Sequence, residues 1–191
     1  MKYFVASNNK KTLNDCILEN PHIDNVTIEF DCFKHVGLPE RYNRWIEQSI
    51  DSDDWLVMLH DDVWLFEPIP ADMPKDKFYG LIGAKKINGK GELVGQITSS
   101  EQDRPLGNKI EGWEEVTTCD PLCIIGHSTL FKDSGLRFDE NLTYHLHYEE
   151  MSIRARKMGI MTAALQVHAR HLSWGEQDEL FKRSWQYATG S

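Results

Sequence analysis

No apolar run in this chain approaches the roughly 20 residues that a membrane-spanning helix requires. The longest, Trp55-Leu56-Val57-Met58-Leu59, has the length of a strand. Cysteine is scarce: Cys16, Cys32, Cys119 and Cys123 form no CxxC pair, and no histidine follows them at zinc-finger spacing. They are expected as reduced, mostly buried thiols of a cytosolic-type compartment. Met1 to Ala6 runs straight into a strand-like segment without the charged and apolar regions of a secretory signal, so the expected location is cytoplasmic. Basic residues are also short, 21 against 30 acidic ones, for a formal net charge of -9. That balance argues against a nucleic-acid partner, which needs a basic surface. It does not exclude a nucleotide ligand, because a metal ion can supply positive charge locally. There is no internal repeat and no low-complexity tract.

What is present points to an ordered core. Hydrophobic residues make up 40% of the 191 positions and six of them are tryptophan, so a single domain over residues 1–191 is expected. The most informative stretch is His60-Asp61-Asp62-Val63, directly after the apolar run. Five consecutive apolar residues bounded by polar ones read as a strand buried on both faces, as in a parallel sheet. Ligands of open α/β sheets bind outside the carboxyl ends of such strands. Two adjacent carboxylates there repel each other, but they can hold a divalent cation against a phosphate.

Along the chain, Tyr3–Ala6 reads as a buried strand and Thr12–Glu19 as a short helix. Val26–Phe30 alternates like a strand. Pro39 opens a helix whose Tyr42, Trp45, Ile46 and Ser49/Ile50 share one face. With the strand at Trp55, this order predicts an α/β domain with a parallel sheet. Tyr79–Ala84 reads as a further strand, and Asn88-Gly89 as a hairpin turn within 87–94. Ser99–Gly112 reads as a loop. Val116–Cys119 and Cys123–Leu130 read as strands, Glu149–Met158 as a helix with Met151, Ala155 and Met158 as its core stripe, and Met161–Val167 as a last strand. A helical tail is expected over Glu176–Tyr187.

Three polar clusters lie at predicted strand ends or helix starts: His60-Asp61-Asp62, His145 to Glu150, and His168 to His171 followed by Leu172-Ser173-Trp174-Gly175. With Tyr42-Asn43 before the first cluster, Asp120 opening the next strand, Phe138-Asp139-Glu140, and Lys182-Arg183-Ser184-Trp185 in the tail, the order is similar to one known pattern. It resembles the nucleotide-sugar glycosyltransferases of the GT-A fold, close to family two and its streptomycin-biosynthesis-type branch. Two departures stand out. The family's DxD is His60-Asp61-Asp62 here, and its Glu-Asp is Glu149-Glu150, one methylene longer at the second carboxylate.

The resemblance implies a GT-A, Rossmann-like fold. Its mixed, mostly parallel central sheet would be flanked by helices and carry a small hairpin subdomain, with a nucleotide-binding half over about 1–100 and an acceptor and catalytic half over about 101–191. It also implies metal-dependent, inverting transfer of a sugar from a nucleotide-sugar to a glycan, glycoprotein or small-molecule hydroxyl, with UDP-linked donors first. Asp62 and His171 are then the metal ligands, for Mn²⁺ or Mg²⁺, and the imidazole tilts the choice toward Mn²⁺. Glu150 is the aligned general base and Glu149 the fallback. His60, Asp61, Asp120, Val5, Ser7, Asn9, Asp31, Arg41 and Asn43 are expected on the nucleotide-sugar side. A chain this short leaves little room for an acceptor domain, so it is compatible with membership of a larger protein.

Plainer readings fit the same residues. Asp61 and Asp62 can open a turn. Glu149 and Glu150 can complement a helix dipole, and Glu150 can pair with Arg154 four residues on. His171 competes with His168 as a ligand. His145 and His147 would share a face if extended, but no third ligand accompanies them. Two other functions use the same groups: a metal-dependent hydrolase of nucleotide-sugars or phosphate esters, and a non-catalytic nucleotide-sugar-binding module.

Overall fold

A computed structural model describes residues 1–30, 37–87, 90–99, 104–142 and 144–172, with the backbone alone at 86 and 87. The strands are Lys2–Ser7 (β1), Val26–Phe30 (β2), Trp55–Leu59 (β3), Val63–Leu65 (β4), Lys77–Gly80 (β5), Gly83–Ile87 (β6), Lys90–Val94 (β7), Ile97–Ser99 (β8), Arg104–Leu106 (β9), Trp113–Glu115 (β10), Thr118–Cys119 (β11), Cys123–His127 (β12), Met161–Leu165 (β13) and Ala169–His171 (β14). The helices are Lys10–Thr12 (α1), which widens into a π-helical Leu13–Leu18, then Leu38–Ser49 (α2), Ser128–Ser134 (α3) and His147–Lys157 (α4).

Seven strands form the central sheet in the order β10-β13-β5-β12-β3-β1-β2. β2, β1, β3, β5 and β13 run one way, and β12 and β10 run against them. The expectation of a mixed, mostly parallel α/β sheet therefore holds. β3 lies between β1 and β12, which is why all five of its residues are apolar and buried. Side chains alternate between two cores, as the period of two requires. Phe4, Leu56, Met58, Phe78 and Ile124 face α2, α3 and α4. Tyr3, Val5, Val57, Leu59 and Ile125 face the other side, with Leu13, Cys16 and Ile17 of the π-helical segment and Val63, Leu65, Ile97 and Ala169 of a second sheet. That second sheet has the order β4-β14-β8-β9. A third, β11-β6-β7, contains the expected hairpin; its turn lies outside the described residues.

Several boundaries differ from the sequence reading. The strand expected over Tyr79–Ala84 is two, β5 and β6, separated at Leu81-Ile82. The strand expected to reach Leu130 stops at His127, whose Nδ1 caps α3. The expected loop over Ser99–Gly112 contains β9. Met158 is 49% exposed rather than core, since α4 ends at Lys157; Tyr148 and Ser152 take the buried face with Met151 and Ala155. The expected helix over Glu176–Tyr187, Trp174, Cys32 and the Lys182–Trp185 tail all lie outside the described residues.

α3 packs onto β12 where that strand has no side chain. A Cβ at Gly126 would lie 2.7 Å from the Phe131 ring and 2.9 Å from that of Phe78. Both rings are fully buried and cannot swing away. Gly126→Ala is therefore expected to destabilise the protein by about 1–3 kcal/mol, read as a lower urea midpoint; an unchanged midpoint would mean that the two rings have room to yield.

Candidate functional site

The carboxyl ends of β1 and β3 and the amino end of the antiparallel β12 form one rim of the sheet. The His60 amide donates to the Leu122 carbonyl at 3.0 Å, which joins the end of β3 to the start of β12. Asp120 precedes this point in a turn closed by its own Oδ1, which accepts from the Leu122 amide at 3.1 Å. α4 starts at the same rim, because the Tyr148 hydroxyl donates to the carbonyl of Tyr79 near the end of β5 at 2.8 Å. β14 reaches it from the second sheet: His171 pairs with Val63, and the Leu172 amide donates to the Asp62 carbonyl at 3.0 Å.

This convergence brings His60, Asp62 and His171 together, with one ligand atom from each within 4.8 Å of the others. They are the group of metal-capable side chains found among the described residues. Asp62 is 9% exposed, and its Oδ1 lies 3.3 Å from His171 Nε2. That is ion-pair distance, and Nε2 of His60 is buried without a hydrogen-bond partner among the described residues. Buried polar atoms without partners are uncommon in native proteins and invite a ligand. Burial pushes the His60 imidazole down, and the neighbouring His171 adds to this. Burial also opposes charge on His171, but Asp62 outweighs it, with Asp120 and Asp61 helping, and holds that ring up. A neutral imidazole beside a carboxylate is the donor set that first-row divalent metals accept.

Asp61 faces the other way. Its Oδ2 accepts from Ser7 Oγ at 2.5 Å and from Thr12 Oγ1 at 3.2 Å, which ties the end of β3 to the end of β1 and to α1. Asn9 caps α1, its Oδ1 accepting from the amides of Lys11 and Thr12. Val5 is fully buried in the core, so only its backbone can meet a ligand. A cavity of about 140 Å³ opens beside these groups, lined by Ala6, Leu38, Tyr42, His60, Asp61, Asp62 and Tyr144.

Arg41 and Asn43 make contacts within the fold. Arg41 is ion-paired with Glu29, as is Arg44. Asn43 spans to the 138–140 segment: its Nδ2 donates to the Phe138 carbonyl at 3.0 Å and to Glu140 Oε1 at 2.8 Å, and its Oδ1 accepts from the Phe138 amide at 2.8 Å. Both roles join elements of the fold. Asp31 lies outside the described residues.

The two glutamates of α4 part company. Glu150 is gripped by Arg154, whose Nε and a terminal nitrogen reach its two oxygens at 2.9 and 2.8 Å. It lines a separate groove with Arg44, Glu47 and Arg137. Glu149 Oε2 is buried without a hydrogen-bond partner among the described residues. Burial, reinforced by the charge of Asp120, pushes the Glu149 carboxyl up to about 7. His145 and His147 do not share a face, because Leu146 between them is left-handed at φ 61°. Such a conformation costs a branched side chain on the order of 1–3 kcal/mol.

No protein-family model matches the chain, and no protein of curated function matches it in sequence. Solved structures do. GalNAc-T7, crystallised with UDP, GalNAc and Mn²⁺, is similar over 99% of this chain with a TM-score of 0.66 at 10% sequence identity. The fold is GT-A-like. A197 from STIV is also similar, over 91% of this chain and 87% of its own, with a TM-score of 0.52 at 15% identity. The GT-A-like chain spans 47% of the GalNAc-T7 chain, about half its length. No helix among its described residues is long and apolar enough to cross a membrane.

Within the GT-A-like frame, His60, expected on the nucleotide-sugar side, stands beside Asp62 and His171, the two expected metal ligands. An imidazole at the first position of a carboxylate motif can itself be a ligand. Tyr42 and Tyr144, which line the cavity, carried no such signal. Tyr42 reads as one more apolar residue of the α2 face, and Tyr144 as a loop residue.

Proposed function

We propose that this protein is a metal-dependent glycosyltransferase that moves a sugar from a nucleotide-sugar, UDP-linked in the first instance, to a hydroxyl of a glycan or other acceptor. The observation that carries this reading is the meeting of His60, Asp62 and His171 at the strand-end rim of a GT-A-like sheet. The UDP and Mn²⁺ named with the similar GalNAc-T7 structure support it, as does the His60 Nε2 that has no hydrogen-bond partner among the described residues. His60, Asp62 and His171 would hold the ion, and two nitrogens with one carboxylate suit Mn²⁺ better than Mg²⁺. A bound ion there supplies charge neutralisation for the departing diphosphate.

The chain's own residues do the rest. Asp61, braced by Ser7 and Thr12, faces the donor's ribose or sugar from the end of β3. Glu149, rather than the Arg154-bound Glu150, takes the acceptor's proton. A general base works best when its proton affinity sits near the operating pH, and burial puts Glu149 there. Attack from the side opposite the diphosphate inverts the anomeric carbon through an oxocarbenium-like transition state. The streptomycin-biosynthesis-type branch remains the proposed affiliation. The proposed division is a donor half over about 1–100 and an acceptor half beyond it, with His171 reaching back from the second half.

The test is product analysis with a panel of nucleotide-sugars and acceptors, with Mn²⁺ and with chelator. Sugar appearing on an acceptor only with metal is the expected result. Metal-dependent donor cleavage with no acceptor consumed would make the protein a hydrolase. Donor binding without turnover would make it a binding module.

A further inference from the structure

Tyr144 and His147 flank the left-handed Leu146 at the entrance to α4. His147 is fully buried, its ring 5.8 Å from that of Tyr42 and 5.7 Å from that of Phe138. Its Nδ1 lies 2.6 Å from the Tyr144 carbonyl oxygen. A carbonyl only accepts, so Nδ1 carries the proton and donates it. The imidazole is neutral: burial and the nearby His60 drive it down to about 3. Nε2, left without a proton, has no hydrogen-bond partner among the described residues. One polar contact therefore does the work of this buried ring, and it is aimed at the backbone of Tyr144. The Tyr144 side chain, 38% exposed, stands nearly parallel to His60, with an 18° interplanar angle and 6.5 Å between centroids. It also lines the small cavity beside Asp61 and Asp62.

We propose that His147 is a positioning residue: by donating from Nδ1 to the Tyr144 carbonyl, it sets the Tyr144 ring against the His60 imidazole and so fixes one wall of the cation and nucleotide cavity. The ring contact stands on geometry alone. Its consequence for ligand affinity rests on the functional reading above.

Two substitutions separate a hydrogen-bonding role from a packing one. The amide nitrogen of Asn occupies nearly the place of Nδ1, so His147→Asn keeps the donor and loses the ring. His147→Phe keeps the ring and loses the donor. The metal-free readout is the NMR signal of the His60 ring protons in the full chain with labelled histidine, assigned with His60→Gln, because a neighbouring aromatic face shifts them. Tyr144→Ala, at an exposed side chain, gives the signal expected when the contact is gone. The expected result is a wild-type-like His60 signal in His147→Asn and a signal moved toward that of Tyr144→Ala in His147→Phe. Mn²⁺-dependent UDP binding should follow the same order, weakened on the order of tenfold in His147→Phe, as for other residues that orient a metal ligand. A His60 signal preserved by Phe and disturbed by Asn would make His147 a core filler and overturn the proposal. Wild-type protein that binds no UDP with Mn²⁺, while the NMR order holds, would sink the functional reading and leave the positioning role standing.

Discussion

Glu149→Gln is expected to suppress sugar transfer by about 10²–10⁴-fold, the usual contribution of a positioned base, and at the same time to make the protein more stable at pH 8. Both effects come from one fact: burial pushes the proton affinity of the Glu149 carboxyl up to about 7, and its Oε2 has no hydrogen-bond partner among the described residues. Below the ordinary carboxyl value of 4.5, the group is protonated in the folded and unfolded chains alike. Between 4.5 and about 7 the unfolded chain releases its proton while the folded chain keeps it, so wild-type stability falls as pH rises through this window. Above it the penalty is complete, about 3 kcal/mol. Gln cannot ionise, so the gap in stability between variant and wild type should be absent near pH 4 and full at pH 8. His147, held neutral with its affinity driven down to about 3, contributes the opposite slope: its stabilisation is present above the ordinary histidine range and is lost on acidification. It is common to both proteins and cancels in the difference. Urea midpoints and initial rates at the two pH values decide the matter. Near-wild-type turnover would move the base elsewhere, and equal stability at pH 8 would mean that burial does not raise the proton affinity of this carboxyl.

The second large effect belongs to Asp62→Ala, which should abolish metal-dependent binding of UDP. Loss of a residue that only orients a ligand typically weakens a metal site by about 10–100-fold, and Asp62 is the carboxylate of the group itself. The fold should survive. Residue 62 holds β14 through its backbone carbonyl, which accepts from the Leu172 amide, and alanine keeps that carbonyl. Calorimetric titration of UDP with and without Mn²⁺ reads the loss, and circular dichroism checks the fold. Excess chelator should reproduce the defect in wild-type protein; tight UDP binding under chelation would remove the ion from the diphosphate.

The sheet was legible where burial was complete. Trp55–Leu59 has strands on both sides, so its sequence is apolar throughout, and the acidic pair after it marks the strand-end rim. Pro39 and the face of α2 were equally plain. Short elements were not: β9 and β14 have three residues each, too few for a period to show, and α3 starts on a histidine cap that no local pattern announces. The choice between Glu149 and Glu150 was out of reach for a different reason. Their order in sequence is one helical step apart, but one of them meets Arg154 and the other turns into the rim, and that depends on where α4 docks. The nearness of His60 to His171 was not legible, because it depends on β14 returning to the end of β3.

β14, the strand that carries His171, is threaded between β4 and β8, more than a hundred residues after the His60–Asp62 turn that it completes. The half of the central sheet made of β2, β1, β3 and β12 is complete in sequence by His127, so it can assemble while the corner beside Asp62 stays open. Contacts separated by so long a loop form late, since closing it costs entropy before any pairing repays it. A chain that ended before Ala169 would lack His171, and His60 and Asp62 would stand without the third member of their group.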